Sequence, residues 1–302
     1  MRCGICECIY KKKKIAVAAA AVVLTAGALL VSGCSGNLTA ASQMTASSQA
    51  ASSAAVQPVK PGEAIVQREA GVKYSVPEGV PILMYHMIGD LRNNASVMTP
   101  ENLRWQMEYL KNNGYHPITM DELYNYVTQG APLPSKPVCI TCDDGYESSY
   151  TIMYPLLKKY HFPWTIFVIT GQVGMANRVT WDQLREMAAS HAVTIGNHTY
   201  SHPKMHELSS EGKRMEITRA QADLKKMLGV DCEWFCYPYG DYDEEIEGML
   251  KEAGIKLATT TDAGQAKVGS YPYELKRVWI GNEVNMARYQ ERLTKENYSI
   301  IQ

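Results

Sequence analysis

From Pro77 onward, short β-rich runs alternate with amphipathic segments, and no other feature limits the possible folds as strongly. Strands are predicted over 80–87, 115–118, 138–142, 164–169, 193–196, 233–237, 256–260 and 278–280. Helices are predicted between them. Thr99 and Pro100 supply an N-cap and a first-turn proline, Leu103, Met107 and Leu110 make the apolar stripe, and Gly114 ends that helix. The others run over 121–129, 149–160, 181–190, from Ser209 to Gly229, over 244–253 before Gly254, and over 286–294. Seven or eight strands, each followed by a helix, imply an α/β fold with a parallel sheet, open or closed into a barrel. No second domain is legible. In such folds catalytic groups collect at the carboxyl ends of the strands.

The N-terminal part obeys different rules. Lys11 to Lys14 precede an uncharged stretch, 15–33, and then Cys34, which fits a basic region, an apolar region and a small-residue cleavage site. The expectation is an export signal over 1–33, with Val31-Ser32-Gly33-Cys34 resembling a bacterial lipobox whose Cys34 carries lipid. The alternative is a retained anchor helix, and both place the protein at a membrane. Residues 35–57 are almost entirely Ser, Ala, Gln and Thr, too polar to offset the entropy of ordering, so 34–76 is read as a tether and 77–302 as the folded domain. The 302-residue chain carries −1 overall and +4 over its first 33 residues, so the remainder is −5. A mildly acidic body with no basic stripe argues against nucleic acid as a partner.

Two polar clusters fall at predicted strand ends. Thr141-Cys142-Asp143-Asp144-Gly145 places adjacent carboxylates before a glycine that marks a turn. His198 and His202 stand four apart, a spacing that on one helical turn puts both imidazoles on the same side. With a carboxylate from the other cluster they form a two-nitrogen, one-oxygen shell that leaves a position for water. The spacings among Cys139, Cys142, Cys232 and Cys236 allow a four-thiolate zinc site only weakly, because strand residues three apart face opposite ways. An exported protein permits a disulfide, whose pairing stays open.

The motifs Thr-Cys-Asp-Asp-Gly, His198-x-x-x-His202-Pro203 and Phe235-Cys236-Tyr237-Pro238-Tyr239-Gly240 occur in the order of the polysaccharide deacetylase family, the NodB-homology or carbohydrate esterase family 4 domain. The resemblance covers about 80–280, and Pro81-Ile82-Leu83-Met84-Tyr85-His86 resembles the branch of poly-N-acetylglucosamine deacetylases. It implies an irregular (β/α) barrel of about seven strand-helix units. It also implies a divalent metal, zinc foremost with cobalt or nickel possible, held by Asp144, His198 and His202, with Asp143 as the catalytic base. The expected partner is an N-acetylated polysaccharide of the cell envelope, and the oligomeric state is open.

This chain departs from the family pattern twice. The late Leu-x-x-His that supplies the general acid is not visible after Asp262, and the resemblance points to His86 in its place. Cys236 stands where many members carry an arginine that orients the base, which makes Arg277 the candidate cation, with Asp262 to hold it. The N–H of Tyr146 is a candidate oxyanion donor, and Tyr237, Pro238 and Tyr239 are candidates for one wall of a sugar-binding groove. Two other readings stand beside N-deacetylation: an O-acetyl esterase acting on a glycan such as acetylxylan, and a non-catalytic glycan-binding envelope lipoprotein.

Overall fold

Local capping chemistry sets the helix starts. Thr99, Thr119, Thr180, Ser209, Asp243 and Asn285 each accept a backbone N–H of the first turn, and Thr119 with Glu122 and Thr180 with Gln183 close full capping boxes. The resulting helices are α1 (Pro100–Asn112), α2 (Met120–Gln129), α3 (Tyr154–Lys159), α4 (Trp181–Ala189), α5 (Ser210–Leu228), α6 (Glu244–Glu252) and α7 (Met286–Thr294). The computed structural model describes residues 64, 66, 68–90 and 94–296. The signal over 1–33, Cys34 and most of the tether lie outside them. Among the described residues no helix is long and apolar enough to cross a membrane.

The main sheet comprises β1 (Ile82–Tyr85), β2 (His116–Ile118), β3 (Pro137–Cys142), β4 (Trp164–Val168), β5 (Val193–Asn197), β6 (Trp234–Cys236), β7 (Leu257–Ala263) and β8 (Leu275–Trp279). All pairings in it are parallel, and seven strands close a ring in the order β1, β8, β7, β6, β5, β4, β3, sealed where Ile82–Tyr85 pairs with Cys139–Cys142. The expected barrel of about seven units is therefore present. Its irregularity has a source: β2 pairs only with the first half of β3, along the edge that β4 occupies further on.

Strands β3, β4 and β5 are buried along their whole length, since helices cover one face and the barrel interior the other. Strand alternation sorts the side chains. Ile82, Cys139, Phe167, Trp234, Cys236, Leu257 and Leu275 cluster with Met120, Leu123, Tyr126 and Val127 of α2, which closes the barrel where the strands begin. Leu83, Tyr85, Ile140, Cys142, Ile166, Ile195 and Val278 pack outward against α1, α3, α4 and α7. The other end of the barrel stays open for a site.

Three expectations are corrected. The single helix over 149–160 is instead a π-helical turn, Ser149–Met153, running into α3, because Pro155 has no N–H to continue an i→i−4 ladder. The strand over 80–87 stops at Tyr85, and Met87–Ile88 turns away to pair with Val97–Met98, which leaves His86 at the break. The last part of the tether belongs to the domain: Tyr74–Ser75 pairs with Leu133–Pro134, and Arg68 binds both carboxylate oxygens of Glu122 at 2.6 and 2.7 Å. The charged and apolar residues after 63 offer such partners, which the Ser/Ala tract does not.

Gly196 tests the packing. A Cβ there would lie 2.3 Å from the Phe167 ring of the adjacent strand. Gly196→Ala is expected to cost about 1–3 kcal/mol by overpacking, read as a lower denaturant midpoint at unchanged slope.

Candidate active site

Asp143 continues the inward parity of Cys139 and Thr141, so its carboxylate sits at the open end of the barrel interior, 2% exposed. Arg277 and Cys236 reach the same point from β8 and β6 by the same alternation. Arg277 donates to both oxygens of Asp143, Nη1 to Oδ1 at 2.8 Å and Nη2 to Oδ2 at 2.7 Å, and its Nε donates to Thr260 O at 2.8 Å. Thr141 Oγ1 accepts from Nη1 at 3.2 Å, and Cys236 Sγ lies 3.1 Å from Nη2 and 3.4 Å from Asp143 Oδ2. Burial opposes the charge on Asp143, but the bidentate guanidinium outweighs it and holds the carboxyl below its usual range. Arg277 thus supplies the expected cation. Asp262 does not hold it; that carboxylate is exposed and accepts from Tyr242 Oη at 3.3 Å.

Asp144 turns the opposite way. Its φ of 71° and the 67° of Gly145 make two successive left-handed residues, and this bend aims the second carboxylate out of the strand parity toward the histidines. Asp144 Oδ1 lies 3.4 Å from His198 Nε2 and 3.6 Å from His202 Nε2. The histidines are not on a helical turn as expected. They lie on a loop after β5, with φ of 64° at Thr199 and 66° at His202; Asn197 Oδ1 accepts from Thr199 N at 2.8 Å and Thr199 Oγ1 from His202 N at 3.0 Å. Pro203 disfavours helix at His202, and these side-chain bonds replace it.

The donor set suits a divalent cation. The three ligand atoms lie within 4.8 Å of one another, and His198 Nδ1 faces Cys236 O at 2.7 Å, which fixes the proton there and turns Nε2 to the site. Burial, with the neighbouring His198, lowers the His202 pKa to about 4, leaving it neutral. Burial opposes a charge on His198 too, but Cys236 and Asp144 outweigh it and raise its pKa, so an entering cation displaces a proton. The four cysteines of the domain are free thiols that do not converge on a four-thiolate site, and burial pushes the thiols of Cys139 and Cys232 up to about 12.

His86 stands across from Asp143, Nε2 3.8 Å from its Oδ2, with its ring against Trp279 at 5.2 Å. Burial lowers its pKa against the pull of Asp143 and Asp144. Tyr146 follows the bend, and the flanking bridge to Arg178 uses Gly145 O and Glu147 N, leaving the Tyr146 N–H out of that ladder. The expected aromatic wall is only partly there. Tyr239 is exposed and edge-on to His202 at 4.6 Å, whereas Tyr237 is fully buried against Phe235 and Tyr242, and Pro238 is buried too. Sequence reading missed Thr141, Thr260, Arg178 and Trp279. Thr141 and Trp279 were findable, since they share strand parity with Asp143 and Arg277.

A family model described as polysaccharide deacetylase matches residues 130–258. A Bacillus subtilis relative assigned by name to the polysaccharide deacetylases, YxkH, is 32% identical over 211 residues, which cover 70% of this chain and 75% of the relative. The poly-beta-1,6-N-acetyl-D-glucosamine N-deacetylase of Escherichia coli K12 is 24% identical over 260 residues, 71% of this chain but only 38% of that protein's length. Streptococcus pyogenes deacetylase PplD, solved with acetate, superposes with a TM-score of 0.68 at 27% identity, over 72% of this chain and 100% of that one. A barrel of this topology, with paired aspartates opposite two histidines and a relative matched this far, means that the chain belongs to the polysaccharide deacetylase family.

Proposed function

We propose that the protein removes N-acetyl groups from N-acetylglucosamine-containing envelope polymers, poly-N-acetylglucosamine or peptidoglycan, with a divalent cation, zinc foremost, held by Asp144, His198 and His202. The observation that carries this reading is a buried carboxylate ionised by Arg277, directly beside an Asp-His-His donor set. When bound, the cation supplies a Lewis acid and makes a water acidic enough to lose a proton near neutral pH.

The protein's own groups do the rest. Asp143, ionised at neutral pH, accepts the proton of the attacking water. The Tyr146 N–H meets the oxygen that gains charge at the acetyl carbon. The amine must leave protonated, and His86 delivers that proton. A neutral His86 starts without it, and the 3.8 Å approach to Asp143 lets the captured proton pass to the imidazole and then to the nitrogen. Exposed Tyr239 offers its face to a sugar ring at the rim of the site.

The test is acetate release by the protein from poly-N-acetylglucosamine and from peptidoglycan, with chelator and with zinc restored. Release abolished by chelation and recovered with zinc is expected. Release that survives complete metal removal sinks the metal-dependent reading, and release only from O-acetylated glycans replaces it with the esterase. The accompanying location is the outer face of a membrane, through lipid on Cys34 after loss of 1–33, with the charge pattern and lipobox of the sequence as support. Cys34→Ala is expected to move the protein from the membrane fraction to the soluble one; unchanged fractionation overturns the lipid anchor.

A further inference from the structure

The bend at Asp144 and Gly145 places two consecutive residues in the left-handed region, and only one of them is a glycine. Backbone of this kind persists only where its surroundings hold it. The holding group comes from the 174–179 segment. Arg178 Nη1 donates to the carbonyl oxygen of Asp144 at 2.8 Å, and its guanidinium carbon lies over the Tyr146 ring, 4.1 Å from the centroid. Val179 N donates to Gly145 O and Glu147 N to Asn177 O, both at 3.0 Å, so the backbones of the two segments are paired on either side of the arginine. Val179 also fills the space beside Gly145, where a Cβ would lie 3.4 Å from its methyl group.

We propose that Arg178 is a positioning residue for the reaction: it clamps the bend that carries Asp144 and the Tyr146 N–H, and so sets the metal ligand and the oxyanion donor together. The inference rests on the reading of Asp144 as a ligand. The guanidinium suits the task, because its planar fork covers a ring face and reaches a carbonyl at once, which an ammonium cannot do. Arg178 reaches Asp144 at its carbonyl oxygen and not at Oδ1, the oxygen that faces the histidines, so its direct hold on that residue is through the backbone. Loss of such a supporting contact around a metal site lowers metal affinity or activity by about 10–100-fold.

The experiment compares the full chain with Arg178→Ala and Arg178→Lys for zinc affinity against a chromophoric chelator, for kcat and KM of acetate release, and for Tm. In Arg178→Ala, zinc binding about 10–100-fold weaker is expected, with kcat lowered more than KM is raised and kcat partly restored by millimolar guanidinium. Arg178→Lys keeps the charge without the stacked fork, and an intermediate zinc affinity at near-native Tm is expected. Zinc affinity and kcat unchanged in both variants overturn the clamp. So does a loss that follows Tm alone, is equal in both variants and is not rescued by guanidinium. A parent protein that releases no acetate refutes the proposed function but leaves the zinc series to decide the role of Arg178.

Discussion

Asp143→Asn is expected to lower kcat by about 10²–10⁴-fold, the usual worth of a positioned general base, with zinc stoichiometry unchanged. The two effects separate because both carboxylate oxygens of Asp143 accept from Arg277, while Asp144, His198 and His202 make up a donor set without it. The amide has the shape of the carboxylate but accepts at one oxygen only and carries no charge. Arg277, fully buried, then loses its counter-charge. Removing one partner of a buried ion pair costs about 3–5 kcal/mol, so a lower Tm must accompany the lost activity. The double variant Asp143→Asn with Arg277→Met should regain part of that stability and none of the turnover. Acetate release near the parent rate by Asp143→Asn would remove Asp143 as the base, and loss of zinc would move it into the ligand set.

How far the sequence alone reaches is clearest at the two histidines. The residues, their spacing and the carboxylate they face were all legible, because strand ends in a parallel α/β chain are where polar clusters gather. The backbone that unites them was not. A spacing of four suggests a helical turn, but Pro203, Asn197 and Thr199 together build a loop with two positive φ values. The ring of seven strands also exceeds what pattern can show, since open and closed parallel sheets share one periodicity, and closure rests on the long-range pairing of Ile82–Tyr85 with Cys139–Cys142. Parity explains both a success and a failure. Inward alternation brings Arg277 to Asp143 across 134 residues, while the same rule turns Tyr237 outward from Cys236, into the core beneath α6 rather than toward a groove.

Arg277→Met is the stronger probe of the same pair, because it keeps the carboxyl that must ionise and removes only the cation beside it. In the native protein Arg277 lowers the Asp143 pKa below the usual carboxylate range, whereas burial alone raises it. A group with a depressed folded pKa stabilises above its unfolded value, about 3.9 for Asp, and loses that contribution as pH falls through the folded pKa. In Arg277→Met the folded pKa moves above the unfolded one, so the side chain opposes folding as pH rises. The stability gap between the two proteins should therefore shrink as pH falls through the folded pKa of Asp143 and widen to about 3–5 kcal/mol by neutrality. Activity should follow the same titration. As a larger share of Asp143 stays protonated there is less base to accept the proton of water, and the acid limb of kcat/KM should shift toward alkaline pH, with partial recovery above it. Urea melts across that range and a pH–rate profile check both effects. An acid limb that stays in place would mean that Arg277 does not set the ionisation of Asp143, and that His86 or His198 carries that function instead.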